Sequence, residues 1–252
     1  MDSDLNHLGR RLAAARRLLF ITGAGISADS GLPTYRGVGG LYDDGAETEE
    51  GLSIEEALSG ECLTRRPEIT WKYLTQIQHN CRQVAPNAAH DCIARLESRF
   101  AVTVLTQNID GLHLRAGSTR VIEIHGSLAT RHCMRCGAAA DAENPVLPPR
   151  CERCGAIVRP DVVLFGEALP EAALRLLDLE YAKGFDAVFV VGTTAMFPYI
   201  AEPVLHAIRR NTPTIEINPA QTSLSSMVEF HLPMRASIAL PMLLDVLSAG
   251  RS

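Results

Sequence analysis

The sequence has no apolar run approaching the 18 residues that a membrane-spanning helix needs. It also lacks a convincing leader. Arg16-Arg17 precede a short apolar stretch, but Thr22 and Gly23 break it too early for a signal peptide. No surplus of positive charge is present, since 24 Lys+Arg stand against 29 Asp+Glu, a net charge of −5 with histidine neutral. Broad, sequence-independent nucleic-acid binding needs a basic face and is disfavoured. An even set of cysteines is missing too; seven, with no export signal, make a poor disulfide framework. Internal repeats and low-complexity tracts are absent. These absences point to a cytoplasmic protein with no membrane association and no direct nucleic-acid partner.

What is present suits a globular fold. The 252 residues are 46% hydrophobic and 21% charged, a balance that argues against disorder. A chain of this length can bury about 70–75% of its extended surface, enough for a sizeable core. Short apolar runs recur and end abruptly in glycine or a polar residue. Residues 18–22 run into Gly23, 102–106 into Gln107, 121–124 into His125, 187–191 into Gly192, and 214–217 into Asn218. Runs so nearly continuous suit parallel strands covered on both faces. Helical apolar spacing lies between them over residues 87–98, 170–182 and 199–210. The alternation predicts an α/β parallel sheet flanked by helices, with ligands beyond the carboxyl ends of its strands.

Two stretches break the alternation. Residues 37–85 begin rich in Gly and Glu, then place Trp71, Leu74 and Ile77 at helical spacing. Residues 131–160 carry two CxxC pairs and several prolines. Both read as insertions forming a smaller module. The expected division gives 1–36, 86–130 and 161–252 to the sheet domain, 37–85 to a helical part and 131–160 to a zinc-ribbon part of the small domain.

Gly23-Ala24-Gly25-Ile26-Ser27-Ala28 fits G-x-G-x-x-G/A immediately after an apolar strand, where glycines let the backbone approach a pyrophosphate. The acidic residue that a dehydrogenase places at the next strand end is missing, for Asp43 and Asp44 lie in a loop-like stretch. That disfavours hydride transfer. Cys133-x2-Cys136-x14-Cys151-x2-Cys154 has the spacing of a tetrahedral zinc site. With all four ligands cysteines, no position stays open for water, so the metal is structural. Such a site supplies on the order of 10 kcal/mol toward ordering a segment with little core. Neighbouring arginines, among them Arg135, Arg150 and Arg153, leave a binding-module reading of the ribbon open. Cys62, Cys81 and Cys92 read as buried thiols. His125 ends a strand at the edge shared with the Gly-rich loop, and Gln107-Asn108-Ile109-Asp110 ends another with groups able to hold a carboxamide and sugar hydroxyls. The remaining histidines read as structural or solvated.

Several separate motifs resemble one family. Gly23-Ala24-Gly25-Ile26-Ser27, the run from Ser30 to Gly37, Thr106-Gln107-Asn108-Ile109-Asp110, Glu123-Ile124-His125-Gly126, the four cysteines and the run from Arg159 to Glu167 are similar to the sirtuins in order and spacing. The resemblance runs from about residue 9 to the C-terminus. It implies a Rossmann-like sheet domain with a small zinc-binding and helical module inserted. The implied activity is that of a bacterial-type NAD-dependent protein-lysine deacylase, acting on acyl-lysine proteins or peptides and yielding nicotinamide, free lysine and O-acyl-ADP-ribose. His125 would be the general base on a ribose hydroxyl, since its ordinary pKa of about 6.5 suits proton acceptance near neutrality. Asn108 and Gln107 would orient the ribose and Asp110 would bind the carboxamide. Gly23, Ala24, Gly25, Ser27 and Arg36 would meet the phosphates and the cofactor loop. Gly192, Thr193 and Thr194 would form a second phosphate-side turn, Asn218 would meet the adenosine ribose, and Ala236 would lie at the adenine pocket. Val163, Phe165, Gly166 and Glu167 would pair with substrate backbone as an added strand.

Departures from the family pattern matter. Tyr35 replaces a usual phenylalanine, and Thr193-Thr194-Ala195-Met196-Phe197 stands where Thr-Ser is commoner. Gly39-Gly40-Leu41-Tyr42 looks like the branch that removes succinyl and malonyl groups. Leu74-x-x-Ile77 nevertheless occupies the place of that branch's Tyr-x-x-Arg. Without the arginine, an acyl carboxylate would lose a charge-assisted partner worth roughly 1.5–3 kcal/mol. Neutral acyl groups, acetyl first, are the expectation, unless Arg82, Arg65 or Lys72 substitutes. Desuccinylation or demalonylation and mono-ADP-ribosyl transfer are the alternatives.

Overall fold

The computed structural model describes residues 2–33, 48–140 and 146–249. Tyr35, Arg36 and residues 39–42 lie outside the described residues. The chain opens with helix α1 (Asp2–Arg11), strand β1 (Arg17–Thr22) and two single-turn 3-10 helices before Gly31. Helices α2 (Ile54–Ala57), α3 (Gly60–Arg65), α4 (Pro67–Gln83) and α5 (Ala88–Leu96) follow. Next come β2 (Ala101–Thr106), α6 (Leu112–Arg115), β3 (Val121–Glu123), β4 (Gly126–Cys133) and β5 (Val158–Val162). The last third alternates α7 (Glu171–Ala182), β6 (Ala187–Val191), α8 (Pro198–Arg209), β7 (Thr214–Ile217), β8 (Phe230–Leu232) and α9 (Ala236–Ala249).

Six strands form one sheet in the order β3-β2-β1-β6-β7-β8, and every neighbouring pair is parallel. The chain builds outward from β1 to β3, then returns to the other side of β1 for β6. A crevice therefore opens beyond the carboxyl ends of β1 and β6, the general binding position in sheets of this topology. Register sharpens this, because Thr22 lies opposite both Thr106 and Val191. The turns that follow these three strands thus start at one level.

The apolar strands are explained by burial on two sides. Leu18 and Phe20 join a cluster with Leu8 of α1, Ile93 of α5 and Leu243 of α9, whereas Leu19 and Ile21 face Leu177 of α7 and Val204 of α8. Phe20 stacks on Phe189 at 4.4 Å between ring centres. The three helical spacings read from sequence correspond to α5, α7 and α8. Strand β8 was not foreseen; three residues before Pro233 carry too little periodicity to show.

Helices α2 to α4 pack against an antiparallel ribbon of β4 and β5, whose register shifts between Ser127 and Arg131. Two caps set the short helices: Ser53 and Glu56 form a capping box on α2, and Ser59 accepts from the Cys62 amide on α3. Pro67 starts α4, where no backbone donor is needed. Trp71, 1% exposed, lies in a cluster with Leu74, Leu128 and Val162. Its indole donates to the Val158 carbonyl at 3.0 Å, and the Arg131 guanidinium lies 4.8 Å from the ring centre. Trp71 thus joins α4 to both strands of the ribbon. No helix among the described residues is long and apolar enough to cross a membrane.

Candidate active site

The turn after β1 interlocks with the turn after β6. Gly23 donates to the Val191 carbonyl at 3.1 Å, and Gly25 to the Gly192 carbonyl at 2.8 Å. A Cβ on Gly25 would sit 2.7 Å from Gly192 Cα, and one on Gly192, at φ +58°, would sit 2.4 Å from the Ile26 nitrogen. Room between the two turns, and not only room for a ligand, therefore demands glycine here. Asn87, the cap of α5, braces the same loop by donating to the Ile26 carbonyl at 2.8 Å and Ser30 Oγ at 3.0 Å.

Beyond β2, Asn108 is 4% exposed and donates through Nδ2 to the Gly23 carbonyl at 3.1 Å and Ser27 Oγ at 3.2 Å. Its Oδ1 is buried and has no hydrogen-bond partner. Such an acceptor is costly to bury alone, by about 1–3 kcal/mol, and suits an incoming hydroxyl or amide. Asp110 accepts from Ser27 Oγ at 2.7 Å and from the Leu112 amide at 2.9 Å. Burial raises its carboxyl pKa against these bonds. Ala24, Ser27, Asn108, Asp110 and Ile77 line one cavity of about 40 Å³.

His125 follows β3. Its Nδ1 lies 2.9 Å from the Gln107 carbonyl, and its Nε2 lies 2.7 Å from the Tyr199 hydroxyl. A carbonyl only accepts, so Nδ1 carries the proton of the neutral ring and Nε2 keeps the basic lone pair. Burial lowers the His125 pKa, and the Gln107 bond opposes that shift. The Gln107 side chain donates to Thr193 Oγ1 at 2.8 Å, while Asn218 donates to the Thr193 carbonyl at 3.2 Å. One strand end thus holds the His125 ring and braces the turn after β6. Thr194 is exposed, and Ala236 is buried where α9 begins. The flanking Arg235 and Ser237 both bond Asp29 in the Gly-rich loop segment.

The four cysteine sulfurs lie within 4.8 Å of one another, with Cys133–Cys154 at 3.4 Å and Cys136–Cys151 at 3.7 Å. Tetrahedral zinc with bonds of about 2.3 Å sets its sulfurs about 3.8 Å apart, so the donor set fits. Each CxxC continues into Gly-Ala, and the two turns repeat one geometry. Gly137 and Gly155, at φ +66° and +72°, donate to the Cys133 and Cys151 carbonyls. Backbone amides of Cys136 and Arg135 lower the Cys133 thiol pKa, while, against the Ala156 amide, the hydrogen bond from Cys133 raises that of Cys154.

The family model for the Sir2 family matches residues 23–197. The chain belongs to the Sir2 family. A Pseudomonas aeruginosa Sir2 relative, NAD-dependent protein deacylase 2, is 51% identical over 246 residues, 95% of each chain. One from Pyrobaculum aerophilum with the same description is 38% identical, covering 93% of this chain and 92% of its own. A solved complex of a Sir2 homologue with NAD superposes with a TM-score of 0.86 at 33% identity, over 98% of this chain and 94% of that one. A complex of Sir2 with a p53 peptide and NAD+ gives 0.82 at 28% identity, over 98% of both.

Leu74 and Ile77 pack on one cluster of the small module, and Ile77 alone of the two also reaches the cavity. Ile77 lines the cavity beside Asn108, whereas Leu74, 2% exposed, packs in the small-module core with Trp71. Of the three basic residues offered as substitutes, Lys72 is held by Glu49 and Glu50 at 2.6 and 2.7 Å, Arg65 by Glu61 at 3.0 Å, and Arg82 is exposed near the end of α4. Residues 163–167 are partly engaged within the chain. Val163 donates to the His125 carbonyl at 2.8 Å, and Phe165 exchanges bonds with Leu58 and Gly60 at 3.0 and 3.1 Å. Glu167 accepts from both Arg159 terminal nitrogens at 2.6 and 2.7 Å and from the Leu164 amide at 2.9 Å. Burial works against its ionisation, but these bonds hold its pKa below the usual value. Sequence reasoning missed Asn87 and Tyr199. Asn87 carries an ordinary N-cap signal that does not disclose its loop contacts, and nothing local marks Tyr199.

Proposed function

We propose that the protein is an NAD-dependent protein-lysine deacylase, with acetyl-lysine peptides as its first substrates. The observation that carries this reading is His125, a neutral imidazole whose Nδ1 proton is held by the Gln107 carbonyl so that Nε2 is the accepting nitrogen, with the next residue, Asn108, holding a buried Oδ1 that has no partner. NAD, when bound, supplies a sugar carbon that releases nicotinamide and an ADP-ribose that accepts the acyl group. The chain's own residues have separate tasks. His125 Nε2 takes the proton of a ribose hydroxyl. Asn108 Oδ1 accepts a sugar hydroxyl, and Gln107 holds the base and Thr193 in register. Asp110 and Ser27 meet the carboxamide beside Ile77.

The Gly23–Gly25 turn and the Gly192–Thr194 turn cradle phosphate and adenosine groups, with Asn218 and Ala236 beyond. Arg36 belongs to the same assignment from the sequence alone. Residues 163–167 take the peptide as an added strand. The sheet is the cofactor unit, and α2–α4 with the ribbon form the second unit. A cytoplasmic location is supported by seven free cysteines. Isoleucine at 77, where the succinyl-removing branch has arginine, leaves an acyl carboxylate without that charge-assisted partner and favours a neutral acyl group over succinyl. Mass spectrometry of an acetyl-lysine peptide with and without NAD tests the reading. NAD-dependent loss of acetyl with formation of O-acetyl-ADP-ribose is expected. ADP-ribose on protein with no loss of acetyl would instead select ADP-ribosyl transfer.

A further inference from the structure

Two acceptors serve the sugar side of this site, and they are treated differently. Asn108 Oδ1 is left without a partner, whereas His125 Nε2 is occupied by Tyr199. Tyr199 is the second residue of α8, just past the Thr193–Phe197 turn where the chain departs from the commoner sirtuin sequence. Its ring stacks on Phe197 at 5.4 Å and 13°, and both rings meet the imidazole edge-on, at 5.9 and 6.2 Å. This aromatic pair fixes the hydroxyl in place. Since Gln107 holds the Nδ1 proton, Nε2 can only accept, and Tyr199 is the donor.

We propose that Tyr199 is a positioning residue whose hydroxyl caps His125 Nε2 in the ligand-free protein and gives way when a sugar hydroxyl of the dinucleotide takes that place. The capped base is shielded from water and aligned until the ligand arrives. The contact is one between neutral groups, for burial keeps Tyr199 protonated, its pKa raised to about 12, and keeps His125 neutral. Asp161 and Glu167 on the neighbouring ribbon side are paired with His132 and Arg159. A neutral hydrogen bond is readily exchanged for another of its kind. The ligand must still displace it, so the cap costs affinity.

The capping half of the proposal stands on the ligand-free geometry, and the displacement half rests on the NAD reading. Tyr199→Phe keeps the ring and removes the hydroxyl. In the ligand-free variant, the His125 Nε2 nitrogen resonance should move toward that of an imine nitrogen with no donor. With ADP-ribose bound, wild type and variant should give the same Nε2 resonance. Calorimetry should show ADP-ribose binding about 3- to 10-fold tighter in the variant, the equivalent of one neutral hydrogen bond. Unchanged ligand-free resonances would overturn the cap, and resonances that still differ with ADP-ribose bound would overturn the displacement. An equal gain in affinity from Phe197→Leu, which thins the aromatic wall but keeps the hydroxyl, would assign the effect to crowding and also overturn it. Wild-type protein that fails to bind ADP-ribose would sink the NAD reading and the displacement with it; binding without a gain in Tyr199→Phe sinks the displacement alone.

Discussion

In the sheet, Phe20, Leu105 and Phe189 are wholly enclosed between two helical layers. Around the ribbon's four cysteines, the apolar company is Val158 and a few alanines. The first region can be held by burial, at about 25 cal/mol per Å² of apolar surface. The second has too little of that surface, and its two glycine-closed CxxC turns leave the sulfurs placed for a metal. One molecule thus combines a region whose stability resides in its sequence-wide apolar pattern with one whose stability depends on four atoms.

The comparison can be broken most forcefully by removing the metal. Chelation, or Cys151→Ser, should abolish zinc binding and unfold the ribbon, a loss on the order of 10 kcal/mol to that region, while the sheet keeps its hydrogen-exchange protection. Simultaneous loss of protection in both regions would show one cooperative unit. His125→Ala should have the next largest effect. Turnover falls about 10²–10⁴-fold with neither region melting and with ADP-ribose binding nearly intact. Undiminished turnover would remove His125 from the chemistry.

Acid separates the regions in the other direction. His90 and His113 are buried, with rings 4.9 Å apart, and His113 Nε2 lies 2.9 Å from Thr22 at the end of β1. Burial pushes His90 down to about 4 and His113 to about 3. The unfolded chain protonates both near pH 6.5, where the folded protein does not. Stability is therefore fully present above about pH 6.5 and falls as pH drops toward 4. On the order of 2 kcal/mol per histidine is lost by pH 5. Urea midpoints at pH 7 and pH 5, with zinc content followed in parallel, check this; equal midpoints would contradict it. The smallest change expected is Trp71→Phe, which leaves the Val158 carbonyl without its indole donor. It should destabilise the small module by about 1–2 kcal/mol in a chemical-denaturation series.

Much of this architecture can be read from the chain before any contact is known. Strand runs such as 18–22 and 187–191, the helical spacings of α5, α7 and α8, and the zinc spacing are local patterns, imposed by backbone period and ligand count. The sirtuin motifs likewise occupy short consecutive stretches. The acyl side was harder to read. Leu74 and Ile77 sit one helical turn apart and look equivalent in sequence, yet Leu74 is fully enclosed in the core while Ile77, packed on that core, also lines the cavity. The Gly23–Gly25 motif was legible as a tight glycine turn after a strand, while its packing against Gly192 was not.

The sequence by itself determined that β1, β2, β3, β6 and β7 become strands, about where each of these ends, and that four thiols would meet. Only the tertiary structure decided which distant side chains face one another across those ends. Parallel register set Thr22, Thr106 and Val191 level, bringing Asn108 against Gly23 and Gln107 against both His125 and Thr193. The hydroxyl of Tyr199 reaches His125 across 74 residues of chain. Local periodicity carries no information about such a pairing, because its geometry depends on how whole layers of helix and sheet pack together.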